Sequence, residues 1–434
     1  MPRYVDLFIE ELRRSRGEVL NIVGKGSDLT ARYKGLVEKV WVKGVEAQNE
    51  FGRIFAVDSS SDEIEVSGGG VLLVTRSIAL EANGVELRKL RLDPLFPKNI
   101  RDYEDYKRLV REHLEHLIGI EAVENGASLI MLDGSLFGRM VHVLRELEVD
   151  GREDIMLEYM EVYGEMISNA LKKKAVVVGV SKDSRSTLLK EELLSTELKN
   201  LLSIVSEDDR SEVLSLWRQL KRRPTQTLEK LRSLIVWRGL DPRIYGLFEE
   251  ARNPVPDSKI LVSLNLDPGY STPMKLSLEK ISAGVTDVAL SDFREARELL
   301  KNVFQKTSDR MGERVKEKID GVLDALRSFP PVLTSYVVFE KGDDPVRVDV
   351  AFDGSLPTLD GSRFVEGESE VFKKVLRCLT CCYAGRQGYN VLLLEADRRV
   401  KTTFETLELY HKLAMRELGE LIVHSRGERR VLFP

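Results

Sequence analysis

The chain has 434 residues, of which 42% are hydrophobic and 32% charged, so it can bury a core and is not a disordered tail. Its formal net charge of −5 excludes an overall basic signature, although a local basic groove can still sit on an acidic protein. A count of three cysteines excludes a disulfide scaffold. The sequence contains no apolar run of about 18 residues, the length that a membrane-spanning helix needs. We therefore expect a cytoplasmic protein with no membrane partner.

The N-terminal part of the chain predicts two helices followed by an antiparallel meander. Residues 3–16 and 29–42 carry apolar side chains at helical spacing. Segments of strand character follow, separated by glycine-containing turns, at 52–58, 63–66, 71–80 and 85–92. We expect them to form three consecutive strands, the first of which ends in Asp58.

The next part alternates helices with strands that are apolar throughout. Helices are predicted at 102–125, from about 138, and at 155–171. The strands at 128–133 and 175–180 lack polar alternation, which is typical of central strands covered on both faces. The order β-β-β-α-β-α-β predicts an α/β fold with a mixed sheet that begins antiparallel and becomes parallel through crossover helices.

Residues 186–252 interrupt this alternation. Their helical periodicity and dispersed charges predict an insertion of two to four helices. Beyond it we predict strands at 258–266 and within 335–352, helices within 291–327 and at 368–384, a strand at 390–394, and a last helix at 404–422. No internal repeat is evident, and we interpret residues 1–434 as one domain that contains this insertion.

Cysteine and histidine residues give little support for a zinc site. Cys378, Cys381 and Cys382 lack a nearby fourth ligand and favour buried positions on one helix. His113 and His116 lie three residues apart on a predicted helix, but their surroundings do not form a zinc-protease motif. We interpret these histidines as surface residues.

Two acidic residues are the strongest candidates for chemistry. Asp58 and Asp133 each follow an apolar strand, and the predicted order places these strands side by side in parallel. Both carboxylates would then lie at one edge of the sheet, where oxygen ligands suit Mg²⁺ or Mn²⁺. Asp-Gly-Ser turns also occur at 353–355 and 360–362, so the acid after an apolar strand is the more specific signal.

Other residues near this edge could complete a metal or phosphate site. Glu112, Glu115 and Glu121 lie on the helix between the two strands, and each is a candidate for a third carboxylate. Lys182 follows the strand 175–180 and could bind a phosphate, although a polar loop that caps the next helix would look the same.

Aromatic and basic residues alternate within the insertion, notably around Trp217, Trp237 and residues 221–223. Such a pattern is compatible with binding a nucleic-acid backbone or stacking bases. Amphipathic helices that bury their tryptophans explain it more simply, and we expect buried tryptophans.

Several of these segments, in this order, resemble the NurA nucleases of archaea and some bacteria. The pieces that carry the resemblance are FAVDSS before a glycine-turn hairpin, LIMLDGSL, VVVGVSKDS and GYNVLLLEADRRV. The resemblance extends, with gaps, from about residue 3 to residue 422. It implies an RNase H-like fold similar to the PIWI domain of Argonaute proteins.

The resemblance also implies an activity and partners. NurA proteins are Mn²⁺-dependent nucleases, with Mg²⁺ as an alternative, that have 5′→3′ exonuclease and single-strand endonuclease activities. They form homodimers and act with the hexameric ATPase HerA, a translocase, in resecting DNA ends for recombinational repair. The implied substrates are single- and double-stranded DNA ends.

Residues carry over from the family by position. Asp58 matches the first-strand aspartate and Asp133 the Asp-Gly-Ser aspartate. Glu115 matches the helix glutamate, with Glu112 as the second choice. Tyr389 matches a tyrosine before the last strand, and Asp397 stands where the family usually has a histidine after an alanine.

These residues predict a hydrolytic mechanism. The four matched carboxylates would hold one or two Mn²⁺ ions, which activate a water for in-line attack on the phosphodiester. Lys182 would steady the non-bridging oxygens, and Tyr389 would stack on a base or position the strand.

Departures from the family leave other interpretations open. Asp397 cannot act as an imidazole acid or base, the first motif reads Asp-Ser-Ser instead of the commoner Asp-Gly-Ser, and the insertion is larger than expected. The chain could therefore be a weakly active or inactive scaffold of the same fold that regulates a translocase. A further interpretation is an actin-like ATP-binding phosphotransferase, whose second Asp-Gly turn would lie at 353–355.

Overall fold

The structure is a computed structural model that describes residues 3–66, 68–142, 144–278, 292–354, 356–359 and 361–419, apart from the side chains of residues 21–28. Some predicted features lie outside these residues. They are the end of the 404–422 helix, the start of the 291–327 helical stretch, and Ser355 and Asp360 of the two additional Asp-Gly-Ser turns.

One large sheet forms the centre of the fold. Its strands are β1 (Trp41–Lys43), β2 (Ile54–Val66), β3 (Gly70–Glu81), β4 (Glu86–Leu95), β5 (Leu129–Asp133), β6 (Val176–Ser181), β7 (Gly269–Ser271), β8 (Met274–Leu276), β9 (Val332–Val338) and β10 (Val346–Ala351). Across the sheet they follow the order β1-β7-β9-β10-β6-β5-β2-β3-β4, and β8 pairs with β9 outside that path.

Helices flank the sheet and form the insertion. Before the insertion they are α1 (Tyr4–Arg14), α2 (Arg16–Glu38), α3 (Ile100–Glu124), α4 (Leu136–Met140) and α5 (Ile155–Lys172). The next five are α6 (Leu188–Leu202), α7 (Glu207–Gln219), α8 (Pro224–Arg238), α9 (Arg243–Arg252) and α10 (Asp257–Leu264). The remaining described helices are α11 (Phe293–Val303), α12 (Gln305–Met311), α13 (Arg314–Ser328), α14 (Glu370–Cys381), α15 (Val391–Val400) and α16 (Phe404–Leu418).

The predicted strand order is confirmed. β2, β3 and β4 form an antiparallel meander, whereas β5 pairs in parallel with both β2 and β6. A crossover through α3 leads from β4 to β5, and one through α5 leads from β5 to β6. The chain is thus a mixed α/β protein with helices on a large mixed sheet.

The two faces of the sheet are covered by different helices, and this division positions the candidate site. On one face, Phe55, Val57 and Leu132 belong to a core shared with α3, α5 and α13. On the other, Ala56 and Met131 pack against α14 and α15. Side chains along a strand alternate between the two faces of the sheet, so residues two apart on one strand pack against the same helices.

The insertion is helical, as predicted, and consists of α6 to α9. Apolar residues from all four helices form a core of their own, which is separate from the two cores beside the sheet. Within the described residues, helices are too short or too polar to cross a bilayer.

Two predicted strands are helices in the structure. Most of the segment 258–266 lies in α10, which ends at Leu264. The segment 390–394 begins α15, and the Asn390 side chain caps its first turn by accepting hydrogen bonds from the amides of Leu392 and Leu393 at 3.0 Å each. Both segments are short and rich in apolar residues, for which periodicity alone does not separate strand from helix.

The prediction of surface histidines was also wrong. His113 and His116 are 5% and 0% exposed because α5 packs on the side of α3 that carries them. The His116 ring stacks on Tyr163 with ring centroids 4.4 Å apart. Among the cysteines, Cys378 and Cys382 are buried as expected, but Cys381 is exposed.

Candidate active site

The parallel pairing of β2 with β5 brings the two predicted aspartates to the same edge. Val57 is the register partner of Leu132, and Asp58 and Asp133 are the next residues on the two strands. The prediction that Asp58 ends its strand was wrong, because β2 continues to Val66 in antiparallel pairing with β3. The site therefore lies where β5 stops beside a longer hairpin.

Alternation along the strands places both carboxylates on the face covered by α15. Asp58 follows Ala56 by two residues and Asp133 follows Met131 by two, so all four share that face. Asp397 lies on α15, and its carboxylate binds Lys401 Nζ at 2.6 Å. The helix that replaced the predicted last strand thus supplies a third acid to the same side of the sheet.

Lys182 and Tyr389 both contact Asp133. The Tyr389 hydroxyl donates to Asp133 Oδ2 at 3.0 Å, and Lys182 Nζ lies 3.4 Å from the same oxygen. The ammonium of Lys182 is also 4.8 Å from the centroid of the Tyr389 ring. The structure therefore brings Asp58, Asp133, Lys182, Tyr389 and Asp397 into one neighbourhood.

Glu115 approaches this neighbourhood from the opposite face. Its helix, α3, covers the side of the sheet toward which Ser59 points, and Ser59 Oγ donates to Glu115 Oε1 at 2.5 Å. The second carboxylate oxygen accepts from Arg139 Nη2 at 2.6 Å. Glu115 is buried, and both of its oxygens are therefore engaged within the protein.

Glu112, the second choice for the helix carboxylate, belongs to a different cluster. Its Oε2 accepts a 2.6 Å hydrogen bond from the Tyr159 hydroxyl and lies 3.6 Å from His142 Nε2. One helical turn separates it from Glu115 and from the contact with Ser59. The geometry favours Glu115 over Glu112 as the helix residue nearest to Asp58.

Arg139 is a site residue that the sequence did not reveal. It is buried on α4, and its Nη2 donates both to Glu115 and, at 2.9 Å, to the Asp133 carbonyl oxygen. Its Nη1 lies 3.1 Å from His116 Nε2. A single buried guanidinium thus ties α3 to the turn that follows β5.

A second buried pair holds the same turn from β10. Asp349 accepts from Ser135 Oγ at 2.6 Å and from the Phe137 amide at 3.4 Å, and Arg347 binds it through Nε at 2.9 Å and Nη2 at 3.0 Å. Both charged residues are buried. The turn that carries Asp133 is therefore fixed on two sides by buried charge pairs.

The electrostatics of the site reflect its crowding with acids. Burial raises the pKa of Asp58 from 3.8 to about 8, with further contributions from Glu115, Asp133 and Asp397, while the Ser59 amide opposes the shift. Burial and the neighbouring Asp133 carboxylate also raise the pKa of Tyr389 above its ordinary value. The cationic side chains of the protein therefore do not fully neutralise the carboxylates at this edge.

The donor set can be tested for its fit to a divalent cation. Within the described ranges, no three His, Cys, Asp or Glu side chains stand close enough together to enclose a metal ion. Asp58, Asp133 and Asp397 nevertheless offer oxygen ligands on one face, which suits a hard cation that keeps several waters and uses one or two carboxylates. The residues fit Mn²⁺ or Mg²⁺ in that open form, and they do not fit a closed protein cage.

The raised pKa of Asp58 predicts a pH effect on the stability of the metal-free protein. The unfolded chain loses this proton near pH 3.8 and the folded chain near pH 8, so folded protein binds more protons in that window and stability falls as pH rises through it. Urea midpoints of chelator-treated protein should show this fall, and Asp58→Asn should make the fall smaller. Parallel profiles for the two proteins between about pH 5 and 8 would contradict the assignment.

Comparison with known proteins identifies the family. A family model described as the NurA domain matches residues 52–402, which is well over half of the chain. A search of curated proteins found no match.

Three solved structures of NurA proteins match this chain over most of its length. The NurA nuclease from Sulfolobus solfataricus has a TM-score of 0.55 and 15% identity, with 96% of this chain and 98% of that chain covered. A structure of NurA with manganese has a TM-score of 0.43, 15% identity and coverages of 92% and 97%. NurA bound to dAMP and manganese has a TM-score of 0.41, 14% identity and coverages of 96% and 98%.

The family match covers the meander, the aspartate-bearing strands β2 and β5, the insertion and helix α15. The Sulfolobus structure shows independently that the chain has the NurA fold. The chain belongs to the NurA family.

Proposed function

We propose that this protein is a divalent-metal-dependent DNA nuclease that uses Mn²⁺, with Mg²⁺ as an alternative. The observation that carries the proposal is the grouping of Asp58, Asp133 and Asp397 on one face, with Lys182 and Tyr389 beside Asp133. Membership of the NurA family supports it, because the Sulfolobus relative is a nuclease.

Asp58 and Asp133 would hold the cation, with Asp397 as the third carboxylate. A bound divalent cation would supply Lewis-acid stabilisation of the phosphodiester and lower the pKa of a bound water. In the structure Glu115 is beside the site and is bound to Ser59 and Arg139. If it were released from Arg139, its carboxylate would become available as a further metal ligand.

Lys182 and Tyr389 would act on the substrate directly. The Lys182 ammonium is half-exposed beside Asp133, so it can approach a phosphate oxygen while remaining near the carboxylate. The Tyr389 hydroxyl orients the Asp133 carboxylate through its hydrogen bond. The Lys182 ammonium lies against the Tyr389 ring, which limits where the ammonium can move.

Lys182 provides a test of moderate expected size. Lys182→Gln should lower kcat for DNA cleavage by about 10²-fold, since one positioned charge near a developing negative charge is worth this order. Lys173→Gln, an exposed change at the end of α5, is the matched control and should leave the rate unchanged. Equal rates for both variants would remove Lys182 from the proposed machinery.

The finer fold assignment is an RNase H-like sheet similar to that of PIWI domains. The sheet order β4-β3-β2-β5-β6, an antiparallel meander followed by two parallel strands, supports it. In this arrangement the acids lie at the carboxyl edge of the parallel strands, where open α/β sheets usually place their ligands.

We further propose, from family membership, a 5′→3′ exonuclease and a single-strand endonuclease. The protein would act as a homodimer with a HerA-type hexameric ATPase in resecting DNA ends for recombinational repair. A catalytically weak scaffold that regulates the translocase is the second candidate, and the engagement of Glu115 by Arg139 is the observation that favours it.

A cleavage assay separates these two candidates. Purified protein with Mn²⁺ should degrade 5′-labelled linear single strands and nick circular single strands, and a chelator should stop both reactions. If Mn²⁺ at millimolar concentration yields no cleavage of either substrate, with or without the ATPase, the scaffold function replaces the nuclease.

A further inference from the structure

The helical insertion carries a local positive charge that the composition of the whole chain conceals. From Arg218 to Arg238 the sequence contains seven lysines or arginines and one acidic residue, Glu229. This segment therefore has a net charge of +6, whereas the whole chain has −5. These cations are spread over the end of α7, the following turn and α8, and such a concentration in one segment attracts polyanions even when the protein is acidic overall.

Helix α8 arranges part of this charge in a line. Arg223, Lys230 and Trp237 are seven residues apart, close to two helical turns, so they lie along one side of the helix. Gln226 and Ser233 fall between them on that side. All five residues are exposed, and we call them the α8 stripe.

The five residues of the α8 stripe carry no carboxylate, and Glu229 adjoins them, three residues after Gln226. A neighbouring side of α8 contributes Leu228, Leu231 and Leu234 to the insertion's core. Helix geometry gives the stripe a length of about 20 Å, enough to accompany several nucleotides of a single strand.

Trp237 is the most unusual residue of the stripe. It is 80% exposed, which corrects the expectation that both insertion tryptophans are buried; Trp217, by contrast, packs against Phe248. The guanidinium of Arg238 lies 4.9 Å from the indole centroid and is itself held 3.4 Å from Asp209. The indole is thus supported by a fixed cation, while most of its surface remains accessible to solvent.

The insertion begins at the candidate active site. Its first helix, α6, starts six residues after Lys182, and Asp257 accepts hydrogen bonds from the Leu189 and Lys190 amides at 3.0 and 2.9 Å. Asp257 also accepts a 2.7 Å bond from Tyr336 on β9, so α6 is anchored to the sheet. A strand held by the insertion would therefore be held by an element rooted near Asp133.

We propose that the α8 stripe is a second contact surface for single-stranded DNA, in which Trp237 stacks on a base and Arg223 and Lys230 bind phosphates. The proposal rests on the proposed nuclease function and adds a place where the strand is held away from the carboxylates. An exposed aromatic ring in line with cations is how sequence-tolerant single-strand binders hold their ligand. The net charge of +6 on the segment from Arg218 to Arg238, with Glu229 as its one acidic residue, favours a polyanion over a mixed-charge protein surface.

The test measures binding without cleavage. Full-length Asp58→Asn protein in chelator is titrated against a labelled oligo-dT of about 20 nucleotides, a length within the range that single-strand binders cover. In that background Trp237→Ala should weaken binding about 10-fold and abolish the quenching of tryptophan fluorescence by the oligonucleotide. Lys230→Gln should weaken binding and reduce the salt slope by about 0.7.

Controls keep the result specific. Val236→Ala removes an equally exposed neighbour from another side of α8, and Lys306→Gln removes a cation from α12; neither should change the affinity. If Trp237→Ala and Lys230→Gln bind oligo-dT as tightly as the parent, or if the parent does not bind it, the stripe is not a DNA surface. Loss of binding only to a protein partner would also overturn the proposal. Cleavage by the wild type is measured separately, so the nuclease function can stand or fall independently.

Discussion

Replacing Asp58 with Asn is expected to lower Mn²⁺-dependent DNA cleavage by about 10³-fold, and Asp133→Asn should do the same. Each change removes an anionic oxygen ligand while preserving shape. The Lewis-acid contribution of a catalytic cation is worth several kcal/mol, which corresponds to about three powers of ten in rate. Initial rates on a 5′-labelled single strand at saturating Mn²⁺ give the measurement.

The comparison needs a control for the loss of any carboxylate. Asp344→Asn, at an exposed position in the turn between β9 and β10, should cleave at the wild-type rate. Asp58→Asn should remain folded. Burial and the neighbouring Glu115 make the ionised form of Asp58 unfavourable, and asparagine carries no charge. A folded Asp58→Asn protein with wild-type activity would show that the catalytic carboxylates lie elsewhere.

Replacing Arg139 with Met should have the largest effect on stability. Arg139 and Glu115 form a buried pair at 2.6 Å, and removing the guanidinium leaves a buried carboxylate and the Asp133 carbonyl without their donor. Breaking such a pair from one side costs about 3–5 kcal/mol. The free energy of unfolding, measured from urea transitions, should fall by this amount.

Two further variants distinguish the buried pair from simple loss of packing. Glu115→Gln combined with Arg139→Met removes both charges and should recover part of the lost stability, because no buried charge then stays uncompensated. Arg14→Met, which breaks the exposed pair with Glu11, should change little. A small effect of Arg139→Met alone, equal to that of Arg14→Met, would mean that Arg139 does not hold Glu115 in solution.

The sheet and its two aspartates were predictable because their signals are local. Fully apolar runs such as 128–133 and 175–180 identify central strands, and the acid that follows an apolar run can be read from a few residues, even though β2 continues beyond Asp58. The parallel pairing of β2 with β5 was predicted from the mixed-sheet order, in which the chain returns through α3 to lie beside the first strand of the meander and not beside β4. Asp58, Asp133 and Lys182 could all be reached in this way.

The partners of these residues were not predictable, because their contacts join distant parts of the chain. Arg139 meets Glu115 across 24 positions, and Ser135 meets Asp349 across 214. Neither arginine of the two buried pairs differs in sequence context from a surface arginine. The division of Glu115 and Asp58 between the two faces of the sheet likewise depends on which helix covers which face.

The error at 390–394 had consequences for the site. As a strand, this segment would have carried Asp397 into a loop beyond the sheet edge. As helix α15, capped by Asn390, it packs against β2 and places Asp397 on the face that carries Asp58 and Asp133. A run of four apolar residues, 391–394, could not decide this, whereas the buried positions 393, 396 and 400 show the helical period.

The position of manganese in the folded protein tests the central claim most directly. Crystals soaked in Mn²⁺ should show an anomalous difference peak between the carboxylates of Asp58 and Asp133, on the face covered by α15, and crystals of Asp58→Asn should lose it. A manganese peak elsewhere, or none at saturating Mn²⁺ in crystals with an open site, would contradict the proposal that these two aspartates form the catalytic centre.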